Sequence, residues 1–77
     1  MLDDLEYQQR FAYSGSGLQV AVQYIGYAHP GAADGDDLWV IKKYVYDDSG
    51  NVVSIMFADD SKAFDKRWTK RHQYSYR

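Results

Sequence analysis

The sequence predicts a mostly β protein: a small antiparallel sheet, or a sandwich, of two hairpins, followed by a short C-terminal helical turn and a final strand. Aromatic residues make up 17% of the 77 residues, and aromatic side chains favour strands. In several stretches apolar and polar residues alternate, which is the period of a half-buried strand. Turn sequences rich in glycine separate these stretches. We expect one domain spanning residues 1–77.

The first predicted hairpin joins the stretches EYQQRFAY and LQVAVQY. Tyr7 and Phe11 share one face of the first stretch, and Val20 and Val22 share one face of the second. The intervening SGSG, residues 14–17, is a short flexible turn. An antiparallel strand pair is therefore expected in the first third of the chain.

The second predicted hairpin has the strongest local signal. LWVIKKYVY and VVSIMF flank DDSGN, in which Gly50 tolerates the positive φ that such a turn requires. Trp39 and Ile41 are assigned to the core from the first strand, and Ile55 and Phe57 from the second. Lys42 and Lys43 interrupt the apolar pattern, so one of these two lysines is expected to point at solvent. The other is expected at an edge or with its stem over apolar surface.

The C-terminal stretch predicts a helical turn and then a short strand. A turn through KAFDKRWTKR, capped by Asp59, Asp60 or Ser61, would place Phe64 and Trp68 on the same face. Both are assigned to the core, sealing the apolar face of the sheet. The closing QYSYR alternates and is expected to return beside the sheet.

The chain is too short for a large core, because a domain of this size buries only about 60% of the surface that its unfolded chain exposes. Small domains usually gain stability from disulfides, metals or oligomerisation. The sequence has no cysteine and only two histidines, so disulfides, thiol catalysis and a structural metal are not expected. We therefore expect assembly with other chains. Residues 1–6 either fold with the domain or extend as an arm.

The first ten residues carry acids where a secretory signal carries lysines. No segment approaches the apolar length that crosses a bilayer. We therefore expect no membrane partner, and the lack of cysteine fits a chain made in a reducing cytoplasm.

Charge is divided unevenly along the chain, although the net charge is only −2. Residues 61–77 hold six cations and one acid, whereas residues 1–60 hold ten acids and three cations. An acidic body with a basic end can attract a copy of itself head to tail, or hold a separate anionic partner. The residues assigned to such a protein interface are Asp34, Asp36, Asp37, Lys66, Arg67, Lys70, Arg71, Tyr74 and Tyr76.

Aspartate pairs are the main candidates for catalysis. They are Asp36–Asp37, Asp47–Asp48 and Asp59–Asp60. Such a pair divides acid and base roles only when one carboxyl is desolvated, whereas all three fall in predicted turns, where aspartate bonds the backbone. DGDD lacks the later ligands of a calcium loop, which leaves at most a weak cation site. No nucleophile or second ligand stands at a suitable spacing from His29 or His72. The sequence predicts no enzyme and no cofactor.

The segment KRWTKRHQYSYR interleaves cations with aromatic residues, as nucleic-acid binders do. The domain-wide positive charge expected of such a protein is missing, however, since the net charge is negative. Tyrosine and arginine are also enriched at protein interfaces. A protein interface is therefore the main prediction, and nucleic-acid binding through this segment is the alternative.

A string of motifs runs from Gly26 to the C-terminal residues. It comprises GYAHPG, Trp39, Ile41 and Lys43, YDDSGNV, FAD, FDKRW, Arg71, and the closing Tyr74 and Tyr76. In these motifs the chain resembles a family of very small β-rich virion-associated proteins of tailed bacteriophages. It departs from the family's usual Trp at Phe57, Gly at Asp60, and acidic or amide pair at Thr69 and Lys70.

The resemblance implies a non-enzymatic structural or accessory component of the phage particle, in the head decoration, neck or tail. Its expected place is the virion, after synthesis in the host cytoplasm. Its expected partners are other virion proteins and copies of itself, since virions are built from symmetric copies. Carbohydrate adhesion through exposed Tyr and Trp is a minor alternative for a tail component.

Overall fold

A computed structural model describes residues 7–15 and 20–77. Its four strands are β1 (Gln8–Ser14), β2 (Ala21–Ala28), β3 (Val40–Tyr46) and β4 (Val52–Phe57). They form one antiparallel sheet in the order β1-β2-β3-β4. The mostly β class predicted from the sequence is confirmed, as a single sheet. The predicted arm at residues 1–6, and most of the SGSG turn, lie outside the described residues.

The turn between β3 and β4 is built by the side chain of Asp47. Its Oδ1 accepts hydrogen bonds from the backbone N–H groups of Ser49 and Asn51, each at 2.9 Å. The backbone hydrogen bond from Asn51 contributes most to holding the pKa of Asp47 below its usual range. Gly50 has a φ of 85°, which a residue with a side chain rarely adopts. The predicted DDSGN turn is therefore present, and aspartate serves the backbone there.

One face of the sheet is covered and holds the core. Trp39 and Ile41 are fully buried there, at 0% exposure, and Trp68 is 6% exposed. Gly26 stands opposite Ile41 in the pairing of β2 with β3. The bare Cα of Gly26 lets the Trp68 ring reach the backbone, since a Cβ at this position would lie 2.6 Å from Trp68 Cε3.

The covering layer is the C-terminal segment, residues 58–77, which is almost without helix. Its regular structure is a single turn of 3-10 helix, Trp68–Lys70. Lys66 and Trp39 exchange two backbone hydrogen bonds of 2.9 Å, and Ala58 forms a bridge with Tyr76. The predicted helical turn through residues 62–71 is wrong in its extent, because the backbone around Lys66 pairs with Trp39 instead.

Phe64 and Trp68 consequently lie on opposite sides of the sheet. Trp68 packs on the covered face, with its ring centroid 6.2 Å from that of Trp39. Phe64 lies near Tyr27 on the other face and is only partly buried. Their predicted sharing of one helical face is wrong, because that spacing requires a helix and the chain is extended between them.

The core assignment of Ile55 is also wrong, since its side chain is 49% exposed. In register, Ile55 stands opposite Tyr44 and Phe57 opposite Lys42, so both lie on the face away from Ile41. The C-terminal segment does not cover that face, and Phe57 is only partly buried. Within the described residues, no helix is long and apolar enough to cross a membrane.

Candidate binding face of the sheet

The second face of the sheet is apolar and aromatic, and we call it the open face. Strand alternation brings its side chains together from all four strands. Ile25 and Val40 are nearly buried by their neighbours, whereas Phe11 and Ile55 are 47% and 49% exposed. The members of the open face are Phe11, Ile25, Tyr27, Val40, Lys42, Tyr44, Ile55 and Phe57.

At one end of the open face lies a pocket of about 230 Å³. Its lining residues are Tyr7, Tyr27, Val40, Lys42, Phe57, Lys62 and Phe64. The Tyr7 and Phe64 rings are stacked, with their centroids 5.8 Å apart and their planes at 25° to each other. The centroid of the His29 ring lies 4.8 Å from that of Phe64. Aromatic rings therefore form most of the wall, and they are already held in place by one another.

Among the described residues that line this pocket, the charged side chains are two lysines. The Lys42 Nζ lies 4.8 Å from the centroid of the Tyr27 ring and 5.8 Å from that of Tyr44. The Lys62 Nζ lies 5.4 Å from the Phe57 ring. In the described part of the chain, neither lysine forms an ion pair with a carboxylate. The pocket therefore combines apolar walls with cations whose described contacts are aromatic.

Burial lowers the pKa of Lys42, but hydrogen bonds with Tyr27 and Tyr44 outweigh that effect. The pKa of Lys42 consequently lies above its ordinary value of 10.5. The ammonium is thus charged at neutral pH and lies over the Tyr27 and Tyr44 rings. Lys43 lies on the covered face, with its Nζ 6.0 Å from the Tyr24 ring centroid. One of the two lysines was expected to point at solvent, whereas Lys42 and Lys43 are both half-buried.

The acidic loop at residues 34–37, which was predicted to contact another copy, forms hydrogen bonds and ion pairs within its own chain. The Asp34 carboxylate accepts a hydrogen bond from Arg10 Nε at 2.9 Å, and Asp37 accepts one from Arg67 Nε at 2.5 Å. Asp36 accepts a bond from the backbone N–H of Ala33 at 2.9 Å. The hydrogen bond from Arg67 is the main reason that the pKa of Asp37 lies below its usual range. The acid–base attraction predicted between copies is thus partly satisfied within one chain.

Several predicted interface residues in the C-terminal segment also face inward. Lys66 is 8% exposed, because its backbone bridges Trp39 and its ammonium forms an ion pair with Asp65. The Tyr74 hydroxyl accepts a hydrogen bond of 2.8 Å from the backbone N–H of Arg67. These contacts correct the prediction that Lys66 and Tyr74 form a contact surface, since both are engaged within the fold.

Tyr76 and Arg71 are engaged in the same way. The Tyr76 hydroxyl donates a hydrogen bond to the Arg71 carbonyl at 2.7 Å. The Arg71 guanidinium lies 4.6 Å from the Trp68 ring and donates a 3.1 Å bond to the Trp68 carbonyl. Burial raises the pKa of Tyr76 above its ordinary value. Of the predicted basic residues, Lys70 remains exposed.

The aspartate pairs lie in turns and bends of the chain. Asp59 and Asp60 both have left-handed backbone conformations, with φ of 54° and 55°. Aspartate tolerates that region better than most residues with a side chain. Within residues 7–15 and 20–77, no three histidine or acidic side chains come together as metal ligands.

The pocket was not predicted from the sequence. The sequence predicted one of Lys42 and Lys43 towards solvent and the other at an edge or over apolar surface, which did not indicate a pocket. Lys62 and Tyr7 reach the pocket through tertiary contacts. Fold and pocket together define a single-sheet β protein with one aromatic face that the described residues leave partly exposed. No protein-family model matches the chain, and no curated protein or solved structure matches it.

Proposed function

We propose that the protein is a non-enzymatic structural or accessory component of a tailed bacteriophage particle, and that its open face binds another virion protein. The observation that supports this is the open face itself: an aromatic and aliphatic sheet surface on a chain of only 77 residues. The sequence resemblance to small virion-associated proteins supplies the phage context.

The composition of the open face is that of a protein interface. Interface centres are enriched in aromatic residues and depleted of charge, and large exposed apolar patches mark sites of interaction. Tyr27, Tyr44 and Phe57 provide the rings, and Lys42 provides the charge. A partner that covers this face would give the sheet a second apolar layer, which the thin monomer core lacks.

Single-stranded nucleic acid is the second candidate, because rings on a sheet beside a lysine also suit base stacking. The predicted C-terminal segment contributes little to it, since Lys66 and Arg67 form ion pairs with Asp65 and Asp37. With a net charge of −2, the chain lacks the broad cationic surface that holds a phosphate backbone.

The test is incorporation into particles. Phages carrying the wild-type gene, Ile55→Lys or Leu38→Lys would be purified, washed and quantified for this chain by mass spectrometry. Ile55 and Leu38 are each 49% exposed, but only Ile55 lies on the open face. Ile55 lies on the edge strand β4, where lysine is tolerated, and Leu38 is an exposed residue of the connection between β2 and β3. Both variants should therefore fold, which circular dichroism of the purified proteins checks.

We expect wild type and Leu38→Lys in the particle, in a copy number that is a multiple of its symmetry, and loss of Ile55→Lys. Absence of the wild-type chain from washed particles would overturn the virion function. Equal incorporation of the two variants would overturn the role of the open face. A salt-sensitive complex of the wild-type protein with single-stranded DNA would favour the second candidate.

A further inference from the structure

The pocket on the open face has an imbalance of charge that selects its ligand. Lys42 and Lys62 both line it, and no carboxylate is among its lining residues in the described ranges 7–15 and 20–77. Elsewhere in the described chain, Arg10, Lys66 and Arg67 each form an ion pair with an aspartate. In a chain with a net charge of −2, two lysines whose described contacts are with tyrosine and phenylalanine side chains mark a local site for an anion.

The walls add a second requirement, because they are aromatic and aliphatic. Tyr7, Phe64 and Val40 present carbon surface, and rings of this kind pack well against flat or aliphatic groups. Liquid water occupies about 30 Å³ per molecule, so a pocket of about 230 Å³ has room for one amino-acid side chain. A small inorganic anion would leave those walls uncovered.

We propose that this pocket binds a carboxylate carried next to an apolar side chain on a segment of the partner protein. The inference deepens the proposed function and rests on it, since it names the chemistry by which a virion partner is recognised. The carboxylate would contact the Lys42 and Lys62 ammonium groups, and the apolar side chain would lie against Tyr7 and Phe64.

A second copy of this chain is a poorer occupant. Face-to-face packing of two open faces would bring Lys42 of each copy towards the other, and like charges in a desolvated contact are unfavourable. The acidic loop at residues 34–37 is already bonded to Arg10 and Arg67 of its own chain. A separate carboxylate-bearing segment meets neither obstacle.

The first experiment is a titration of the full chain, labelled with ¹⁵N, followed by NMR with three probes. Phenylacetate carries a carboxylate on a ring, 2-phenylethanol is the uncharged ring, and inorganic phosphate is the anion without a ring. We expect phenylacetate to saturate shifts at Tyr27, Lys42 and Phe64, with the other two probes at least about 10-fold weaker. A tenfold ratio corresponds to about 1.4 kcal/mol, which is within reach of one charge-assisted hydrogen bond.

Variants separate this site from general charge attraction. Lys42→Gln and Lys62→Gln should each weaken phenylacetate binding several-fold, whereas Lys70→Gln, which changes an exposed lysine that does not line the pocket, should not. Equal binding of phenylacetate and 2-phenylethanol would overturn the carboxylate assignment. Preferential binding of phosphate would overturn it in favour of a phosphate-bearing ligand, the nucleic-acid outcome.

The chain's own acids are tested in the same assay. A variant with Asp3→Asn, Asp4→Asn and Glu6→Gln should bind phenylacetate as the wild type does. Tighter binding by that variant would mean that the protein's own N-terminal residues compete for the pocket, and would overturn the assignment to a partner.

Particle incorporation distinguishes failure of this inference from failure of the proposed function. The variant Lys42→Gln/Lys62→Gln should enter particles less than the wild type does. If the wild type and the variant enter particles equally, the pocket inference fails and the virion function stands. If the wild type binds phenylacetate selectively but is missing from particles, the virion function fails, and with it the virion identity of the partner.

Discussion

Replacement of Gly26 by alanine tests the packing on which the covered face depends. A Cβ at this position would lie 2.6 Å from Trp68 Cε3, 3.0 Å from Trp68 Cζ3 and 3.1 Å from Trp39 Cε3. Contacts under 3.0 Å are not tolerated, so one of the two rings must move. Both rings are nearly or fully buried, and Trp68 is held from behind by the Arg71 guanidinium at 4.6 Å.

The expected loss follows from two opposing terms. Adding a methyl group to a packed core typically costs about 1 to 3 kcal/mol. Replacing glycine restricts the unfolded chain and returns about 0.4 to 1 kcal/mol. With the middle of each range, the net destabilisation of Gly26→Ala is about 1.3 kcal/mol. For a domain of this size that lowers Tm by about 5 to 10 °C.

Urea unfolding followed by far-UV circular dichroism measures this change. Gly35→Ala is the matched control, because nothing lies within 4 Å of a Cβ there. Combining Gly26→Ala with Trp68→Leu should cost less than the sum of the single changes, because the smaller side chain removes the clash. If Gly26→Ala is as stable as the wild type, or the double variant is strictly additive, the proposed contact between Gly26 and Trp68 is refuted.

Three further predictions test burial and titration. Ile41→Ala should lower the free energy of unfolding by about 2 to 5 kcal/mol, because Ile41 is fully buried, whereas Ile55→Ala should cost under about 1 kcal/mol in the same urea experiment. Burial raises the pKa of Tyr76 above its ordinary value of 10.0, so the folded protein should keep its stability below pH 10 and lose stability as pH rises further. The fall in Tm between pH 9 and pH 11 should therefore be smaller in Tyr76→Phe than in the wild type. The hydrogen bond from Arg67 lowers the pKa of Asp37 below its ordinary value of 3.8. The stabilisation from this ion pair is therefore present above pH 3.8 and is lost as pH falls through the pKa of Asp37 in the folded protein. An NMR titration of the Asp37 carboxyl should show a higher pKa in Arg67→Gln than in the wild type.

Each of these predictions has its own control and contrary outcome. Equal losses in Ile41→Ala and Ile55→Ala would mean that the two sheet faces are equally covered. For the alkaline transition, Tyr13→Phe is the control, since Tyr13 is 61% exposed; equal pH dependence in Tyr13→Phe and Tyr76→Phe would contradict the buried hydroxyl. An unchanged Asp37 titration in Arg67→Gln would show that the ion pair does not form in solution.

Local sequence features were sufficient to predict the hairpins. The DDSGN turn is encoded by an aspartate that bonds the backbone and by Gly50 at positive φ, both of which act within five residues. The alternation along LWVIKKYVY, which contains β3, likewise placed Trp39 and Ile41 on one face. These signals could be read because turn chemistry and the two-residue period are properties of short segments.

The C-terminal segment was predicted less well for a physical reason. Phe64 and Trp68 are spaced as on a helix, and the preceding aspartates suit a cap, so local propensity favours a helical turn. Tertiary pairing of Lys66 with Trp39 overrides that propensity and sends the two rings to opposite faces. Local propensity is a small energy beside the burial of a tryptophan.

The sequence by itself determined the strands, the DDSGN turn and the alternation of side chains within each strand. It grouped Ile55 and Phe57 with Trp39 and Ile41, whereas the register of β3 with β4 places the two pairs on opposite faces. Only the tertiary structure decided which face is covered by the last twenty residues. Alternation along a strand separates the two faces but does not say which of them another segment will pack against. That choice depends on a fit between distant residues: the Trp68 ring lies against the bare Cα of Gly26. It leaves Ile55 in solvent and, on the same face, Lys42 in an aromatic pocket.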